Sequence, residues 1–251
     1  MAVAVVTGAS SGIGLELARE FAEHDFDVVL VAEEPEVHAA AAEIGGRALQ
    51  LDLTDPAAVE ELVAQVGQPD AVAINAGIGA SGAFVHATTL EEHLDTVDLN
   101  VRSAVHLAKR VLPGMVDRGS GRVMFTSSIA SVAPGPYQAV YNASKAFLRS
   151  FAQALRQELK GTGVTVTTLM PGLTETKFFE RASMFDTKLG AMPKKDKAST
   201  VAHQGYEAMM KGRSSVVTGT VLNRVQTIAS RFLPDRVLAA VHKRLSKPGT
   251  A

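Results

Sequence analysis

Apolar residues fall into two alternating patterns along this chain. Short, nearly continuous apolar runs lie at 2–6 (AVAVV), 27–32 (DVVLVA), 47–51 (RALQL), 70–74 (DAVAI), 121–126 (GRVMFT), 163–169 (GVTVTTL) and 215–218 (SVVT). Runs of this length without strict polar alternation predict strands covered on both faces. Between them, 12–24, 35–44, 55–66, 90–112 and 136–160 read as helices. In LDLTDPAAVEELV, Asp55 is placed to cap a helix whose first position is Pro56, a sequence signal with a mechanism, since proline has no amide to leave unbonded there. The repeated strand–helix order predicts an α/β fold: a doubly wound parallel sheet of about seven strands with right-handed crossovers and helices on both faces.

No repeat, low-complexity tract or linker divides the sequence, so one domain over 1–251 is expected. The least regular stretch, 172–200, sets Phe178, Phe179, Met184, Phe185 and Met192 among Lys188, Lys194, Lys195 and Lys197, with no predicted strand. In a compact domain such a segment is expected to be a substrate lid, or a cover for its own core with the lysines in water. Two further helices are expected at about 221–231 and 235–246, with apolar positions opposite Arg and Lys. Packing against the sheet or a sister subunit suits them better than a membrane surface, because the chain has little charge bias.

Composition removes several classes of function. A net charge of −1 over 251 residues gives no electrostatic reason to expect nucleic acid or a membrane as partner. The chain has no cysteine, which excludes disulfides and thiol catalysis. Its seven histidines are scattered, without the spacing of a metal site, so no metal is expected. AVAVV is too short for a signal-peptide core, and no run approaches the roughly 20 apolar residues of a membrane span. A cytoplasmic location is expected.

Two stretches carry candidate chemistry. TGASSGIG follows the first strand directly and opens a helix. Gly8, Gly12 and Gly14 would let the backbone turn tightly and approach a ligand, and free amides at a helix start favour an anion such as pyrophosphate. A tight turn with no ligand would use the same glycines. The second stretch is SVAPGPYQAVYNASKAFLRSF, where Tyr141 and Lys145 stand four apart on a helix and share one face. A neighbouring ammonium favours the phenolate, which would make Tyr141 a usable general acid or base. Ser128 lies thirteen residues earlier, at the end of the VMFTSS strand, where ligands of parallel sheets collect. Adjacent Ser127 is expected to point elsewhere, and Tyr137 either lines the pocket or packs beside it.

Together these residues resemble the short-chain dehydrogenase/reductase family. The loop Thr7-Gly8-x-x-x-Gly12-x-Gly14 resembles its cofactor loop, and Ser128, Tyr141 and Lys145 match its serine and Y-x-x-x-K at the family spacing. Asn75, Ala76 and Gly77 follow the fourth strand as in that family, and Asn100 sits where its fourth catalytic residue lies. Asp52 and Leu53 match its adenine contacts, and Pro171, Gly172, Thr174 and Thr176 follow the sixth strand at its nicotinamide side. The resemblance runs in order from Thr7 to Thr176. It implies a Rossmann-type fold whose loop, including Ser10, Ser11 and Ile13, holds NAD or NADP.

The resemblance also implies roles. Tyr141 would exchange a proton with a carbonyl or alcohol oxygen as hydride moves to or from nicotinamide. Ser128 would hydrogen-bond that oxygen, Lys145 would lower the Tyr141 pKa and bind the nicotinamide ribose, and Asn100 would hold a water through its backbone. The expected partners are a small carbonyl or alcohol substrate, apolar if the lid lines its pocket, and further copies of the chain in a homodimer or homotetramer built on helices 90–112 and 136–160. After the second strand, Glu33 stands where NADPH-dependent relatives often carry arginine, with Glu34 beside it, and neither Ser10 nor Ser11 is basic. These carboxylates would repel a 2′-phosphate and accept hydrogen bonds from a ribose diol, so NAD is favoured over NADP. The usual aspartate of NAD enzymes would fall at 32, which is Ala32 here. A non-catalytic dinucleotide-binding sensor or scaffold is the alternative from another class. An epimerase or dehydratase could use the same residues.

Overall fold

The computed structural model describes residues 1–193, 195–219, 227, 230 and 233–251. Seven parallel strands form one sheet: β1 (Val3–Thr7), β2 (Asp27–Ala32), β3 (Arg47–Gln50), β4 (Ala71–Ile74), β5 (Gly121–Thr126), β6 (Val164–Met170) and, at its edge, Ser215–Val217. The order is β3-β2-β1-β4-β5-β6 followed by the edge strand. Both faces of each central strand are buried, which explains the continuous apolar runs. Val5, Val29, Val72, Val123 and Phe125 face one core, while the alternating Ala4, Val6, Leu30, Ala73 and Met124 face the other.

Helices cover the sheet on both sides. The first core is closed by α3 (Pro56–Val66), α5 (Ser103–Asp117) and α6 (Ala139–Glu158); the second by α1 (Gly12–Glu23), α2 (Glu36–Ile44) and α8 (Ala198–Met210). α3 starts as its sequence predicts, with the Asp55 side chain accepting from the Ala57 amide and Pro56 in the first turn. α4 (Leu90–Val97) opens on a capping box between Thr89 and Glu92.

The structure corrects two expectations. Residues 90–112 are not one helix: a π-helical turn, Asp98–Arg102, separates α4 from α5. Its centre is Asn100, whose side chain bonds the chain near Ile78 rather than continuing a uniform helix surface. Segment 172–200 does contain strands, since β7 (Thr174–Glu175) pairs in parallel with β8 (Asp196–Lys197). Between these strands lies the short α7 (Phe178–Arg181). This segment gives way to α8 at Ala198, which buries Val201, Ala202, Tyr206 and Met209 against the sheet. Because β8 precedes it in the chain, the edge strand Ser215–Val217 is β9.

The C-terminal helix expected at 235–246 is α9 (Asp235–Ser246). The helix expected at 221–231 falls on residues that, apart from 227 and 230, lie outside those described. Among the described residues no helix is long and apolar enough to cross a membrane.

Candidate active site

Between β1 and β4 the order of strands reverses direction, and parallel sheets bind ligands at the carboxyl edge of such a point. A cleft of about 850 Å³ opens there. Of the candidate cofactor and catalytic residues, all but Asn100 border it. Asn100 is fully buried behind Gly77 instead.

The floor is fixed by Thr7. Its hydroxyl accepts from the amides of Asn75 (2.9 Å) and Ala76 (3.0 Å), and the Asn75 side-chain amide donates to the Thr7 carbonyl at 3.0 Å. The loop after β1 is thereby locked to the loop after β4. Gly8 takes a left-handed φ of +67° and lies so close that a Cβ would meet Ala76 Cα at 2.8 Å. At Gly14 a Cβ would collide with the backbone carbonyl of Gly8 and with the Asn75 side chain. Only glycine leaves this cradle open. Ser11 caps α1 without a side-chain hydrogen bond, so the first amides of the helix remain available to an anion. A cradle that a Cβ would fill, beside an uncapped helix start, suits a dinucleotide pyrophosphate.

Beside the ends of β2 and β3 the cleft is acidic, lined by Glu33, Glu34 and Asp52. Glu33 follows β2, and burial, then the nearby Asp52 and Glu34 carboxylates, hold its carboxyl above the usual range, with Arg181 opposing them. Glu34 accepts from Ser10 Oγ (2.9 Å) and pairs with Arg181 (2.7 Å). Asp52 turns its carboxylate to the Thr54 amide and hydroxyl at 2.9 and 2.7 Å, and Leu53 is buried. Across the cleft, Pro171 accepts from the Ile129 amide at 3.0 Å, Thr174 donates to Gly172, and Thr176 lies against the glycine loop, 3.0 Å from where a Gly12 Cβ would be.

Tyr141 and Lys145 sit one turn apart on α6, Tyr141 half-buried in the cleft wall and Lys145 buried behind it. The Tyr141 phenol hydrogen-bonds the Ser128 side chain. Lys145 Nζ lies 5.8 Å from the centre of the Tyr141 ring and donates to the Thr126 carbonyl at 3.0 Å. The sequence-based expectation that lysine acidifies the phenol does not hold in the protein alone. Burial pushes the phenol up to about 12, opposed by its bond with Ser128, and burial pulls Lys145 down to about 8. Desolvation sets the direction of both shifts.

Ser127 does point away from Ser128's position, donating to the Lys145 carbonyl at 2.7 Å. Asn100 braces the floor through its side chain. Its Oδ1 accepts from the Ile78 amide (2.9 Å) and its Nδ2 donates to the Ile78 carbonyl (2.8 Å) and to Ser144 Oγ (2.9 Å). A Cβ on Gly77 would meet Lys145 Nζ at 2.9 Å and Asn100 Oδ1 at 3.0 Å, so the three are packed in one place.

Beyond Tyr141 the cleft is walled by the apolar Leu173, Phe178, Met184 and Leu189, and the Phe178 ring lies 5.0 Å from that of Tyr141. Lys195 covers Phe179, its Nζ 4.1 Å from the ring centre. Tyr137 is not part of the wall; it holds a φ of +68° and its carbonyl accepts from Gly82. Sequence reading missed Gln138, Arg181, His242 and Leu245, which also border the cleft. His242, on α9, contacts the Pro136 carbonyl at 3.3 Å and the Asn142 amide at 3.4 Å, and burial lowers its pKa. Nothing in the local sequence marks Arg181, His242 or Leu245, because only the fold brings α7 and α9 to the crevice, whereas Gln138 enters it from the start of α6.

Fold and cleft together define a doubly wound dinucleotide-type domain. The short chain dehydrogenase family model matches residues 2–186. The chain belongs to the short-chain dehydrogenase/reductase family of oxidoreductases. It is 35% identical over 178 residues to the NADP-dependent 3-hydroxy acid dehydrogenase YdfG of Salmonella typhi, covering 68% of this chain and 72% of that one. A short-chain dehydrogenase from Sphingobium yanoikuyae in complex with NADPH matches with a TM-score of 0.81 at 29% identity, over 92% of this chain and 94% of that one. A 3-ketoacyl-(acyl-carrier-protein) reductase from Brucella melitensis complexed with NADH matches with a TM-score of 0.74 at 26% identity, over 87% and 97%.

Proposed function

We propose that the protein transfers a hydride between a nicotinamide dinucleotide and a carbonyl or secondary alcohol, with Tyr141 as general acid/base. The observation that carries this reading is the meeting of two groups in one cleft: the glycine cradle, and a half-buried phenol bonded to Ser128 beside the Lys145 ammonium. A dinucleotide bound there would supply or accept the hydride. Gly8, Gly14 and the start of α1 would hold its pyrophosphate, and Thr174 and Thr176 would flank its nicotinamide end.

At neutral pH the phenol carries its proton, as required to protonate a carbonyl oxygen during reduction. Alcohol oxidation needs the phenolate instead, so the oxidation rate should rise with pH. Ser128 orients the reacting oxygen and stabilises the charge that develops on it. Lys145 keeps a positive charge near neutrality and places it beside the phenol. Asn100 acts through position, since its side chain holds Ile78 and so the loop beneath the reacting groups. The sensor alternative has less support, because a protein that only reads the dinucleotide needs neither Tyr141 nor Lys145.

The relatives named for a 3-hydroxy acid and a 3-ketoacyl group support a carbonyl/alcohol pair, and the apolar wall suits a substrate with an apolar body. Their names lean toward the phosphorylated dinucleotide, since two of the three carry NADP or NADPH. This chain's own residues at the adenosine side are acidic and favour NAD. We also propose further copies of the chain as partners, because Val97 and Phe147 are exposed on α4 and α6. One domain and a cytoplasmic location complete the proposal.

A panel of ketones, 3-ketoacyl thioesters and 3-hydroxy acids, read by nicotinamide absorbance, tests the activity. Turnover of at least one carbonyl/alcohol pair, faster with NADH than with NADPH at equal concentration, is expected. Faster turnover with NADPH would overturn the cofactor preference. No turnover across the panel, despite dinucleotide binding, would favour the sensor.

A further inference from the structure

We propose that the outer side of α9 is a docking surface for an anionic lipid membrane. Val237 and Val241, four apart on one side of this helix, are 40% and 55% exposed, and Leu233, just before it, is 47% exposed. Arg236 and Lys243, seven apart, run along a neighbouring line, and Arg244 follows Val241 by one turn. These three cations and Lys247 are all exposed. Among the described residues none of the four is in a salt bridge. The opposite side of α9 is committed to the protein. Ser246 is buried there, His242 contacts the Pro136 carbonyl, and the Leu245 carbonyl accepts from the Leu189 amide of the lid.

Charge decides the occupant. From Leu233 to Lys247 the chain has four Arg or Lys and one acid, Asp235, whereas the whole chain is net −1. The overall balance, which gave no reason to expect a membrane, hides this local excess. A second copy packed face to face would set these cations against the same cations. Residues 220–232 would not neutralise them, since that stretch of sequence has Arg224 and Arg231 and no acid. An apolar line edged by cations on a surface helix matches the boundary between headgroups and acyl chains, where each kind of side chain meets its own partner. His242 and Leu245 of the same helix border the cleft, so docking would hold the cleft beside the lipid, where an apolar substrate collects.

Co-sedimentation of the whole chain with vesicles tests this, using phosphatidylcholine alone and equal parts phosphatidylcholine and phosphatidylglycerol. Partitioning onto the mixed vesicles should be at least about tenfold stronger than onto the neutral ones, and should weaken as salt is raised. Each cation near such a surface is worth roughly a fivefold gain, so Arg236→Gln/Lys243→Gln/Arg244→Gln should lose roughly a hundredfold. Val237→Ser/Val241→Ser should lose about tenfold. Both variants change exposed side chains only, and their Tm should stay close to that of the wild type.

No partitioning onto the mixed vesicles, or equal partitioning onto both kinds, overturns the inference. So does binding that survives in Val237→Ser/Val241→Ser, which would assign the cations to nucleic acid or an acidic protein. A dimer in solution that this same variant dissolves would give the face to a second copy instead. None of these outcomes depends on the dinucleotide reading proposed above, which stands or falls by its own assay.

Discussion

Tyr141→Phe is expected to lower kcat by roughly a hundredfold to ten-thousandfold, the range that a positioned acid/base supplies, while dinucleotide affinity stays within about threefold. The ring is retained in this variant, so its packing against Phe178, 5.0 Å away, remains. Only the hydroxyl and its bond with Ser128 are lost. Stability should change little, because a donor and its partner are separated at the edge of a cleft that water can enter. Paired measurement of kcat and of calorimetric dinucleotide affinity checks this. A loss of binding equal to the loss of turnover would mean that Tyr141 supports the cleft and does not transfer the proton.

The second large effect concerns the cradle. In Gly14→Ala the new methyl would press on the Gly8 carbonyl and on the Asn75 side chain. The first is backbone and cannot rotate away. Overpacking of this kind costs about 2 kcal/mol, equivalent to a Tm lower by roughly 4–8 °C in a chain of this size. Dinucleotide affinity should fall by at least about tenfold, since the loop must move out of its binding position. Gly45→Ala serves as the control. Gly45 also has a left-handed φ, +70°, but nothing lies within 4 Å of its Cβ position. That variant should lose stability through backbone strain alone, by about 1 kcal/mol, and keep full dinucleotide affinity.

Much of the architecture was legible in the sequence because parallel strands buried on both faces write themselves as unbroken apolar runs. Strands Asp27–Ala32 and Gly121–Thr126 have the boundaries read from the sequence, and the others shift by a residue. The cleft was legible too, because the glycine loop and the tyrosine–lysine pair, each with an innocent explanation when taken alone, stand in register with several further motifs along the chain. What stayed hidden depends on contacts distant in sequence. The π-helical turn at Asp98–Arg102 follows from the bonds of Asn100 to Ile78, 22 residues away, and no local pattern reports it. Arg181 and His242 join the cleft only when α7 and α9 fold over it. The Tyr141 pKa was misjudged for a related reason: spacing shows that a lysine is near, but not that the fold desolvates the phenol and so raises it.

The chain offers an unusually direct probe of its central claim, that the glycine cradle and the Tyr141 phenol serve one bound dinucleotide. It contains three tyrosines and no tryptophan. With tyrosine labelled by ¹³C at Cζ, and assignments made from Tyr137→Phe and Tyr206→Phe, each phenol can be titrated separately. In the protein alone, Tyr141 should keep its proton until about pH 12. With oxidised dinucleotide bound, added positive charge at the nicotinamide end should move its titration to lower pH, while Tyr206 stays where it was. A Tyr141 signal whose titration ignores the dinucleotide would place phenol and cradle in separate roles and contradict the account.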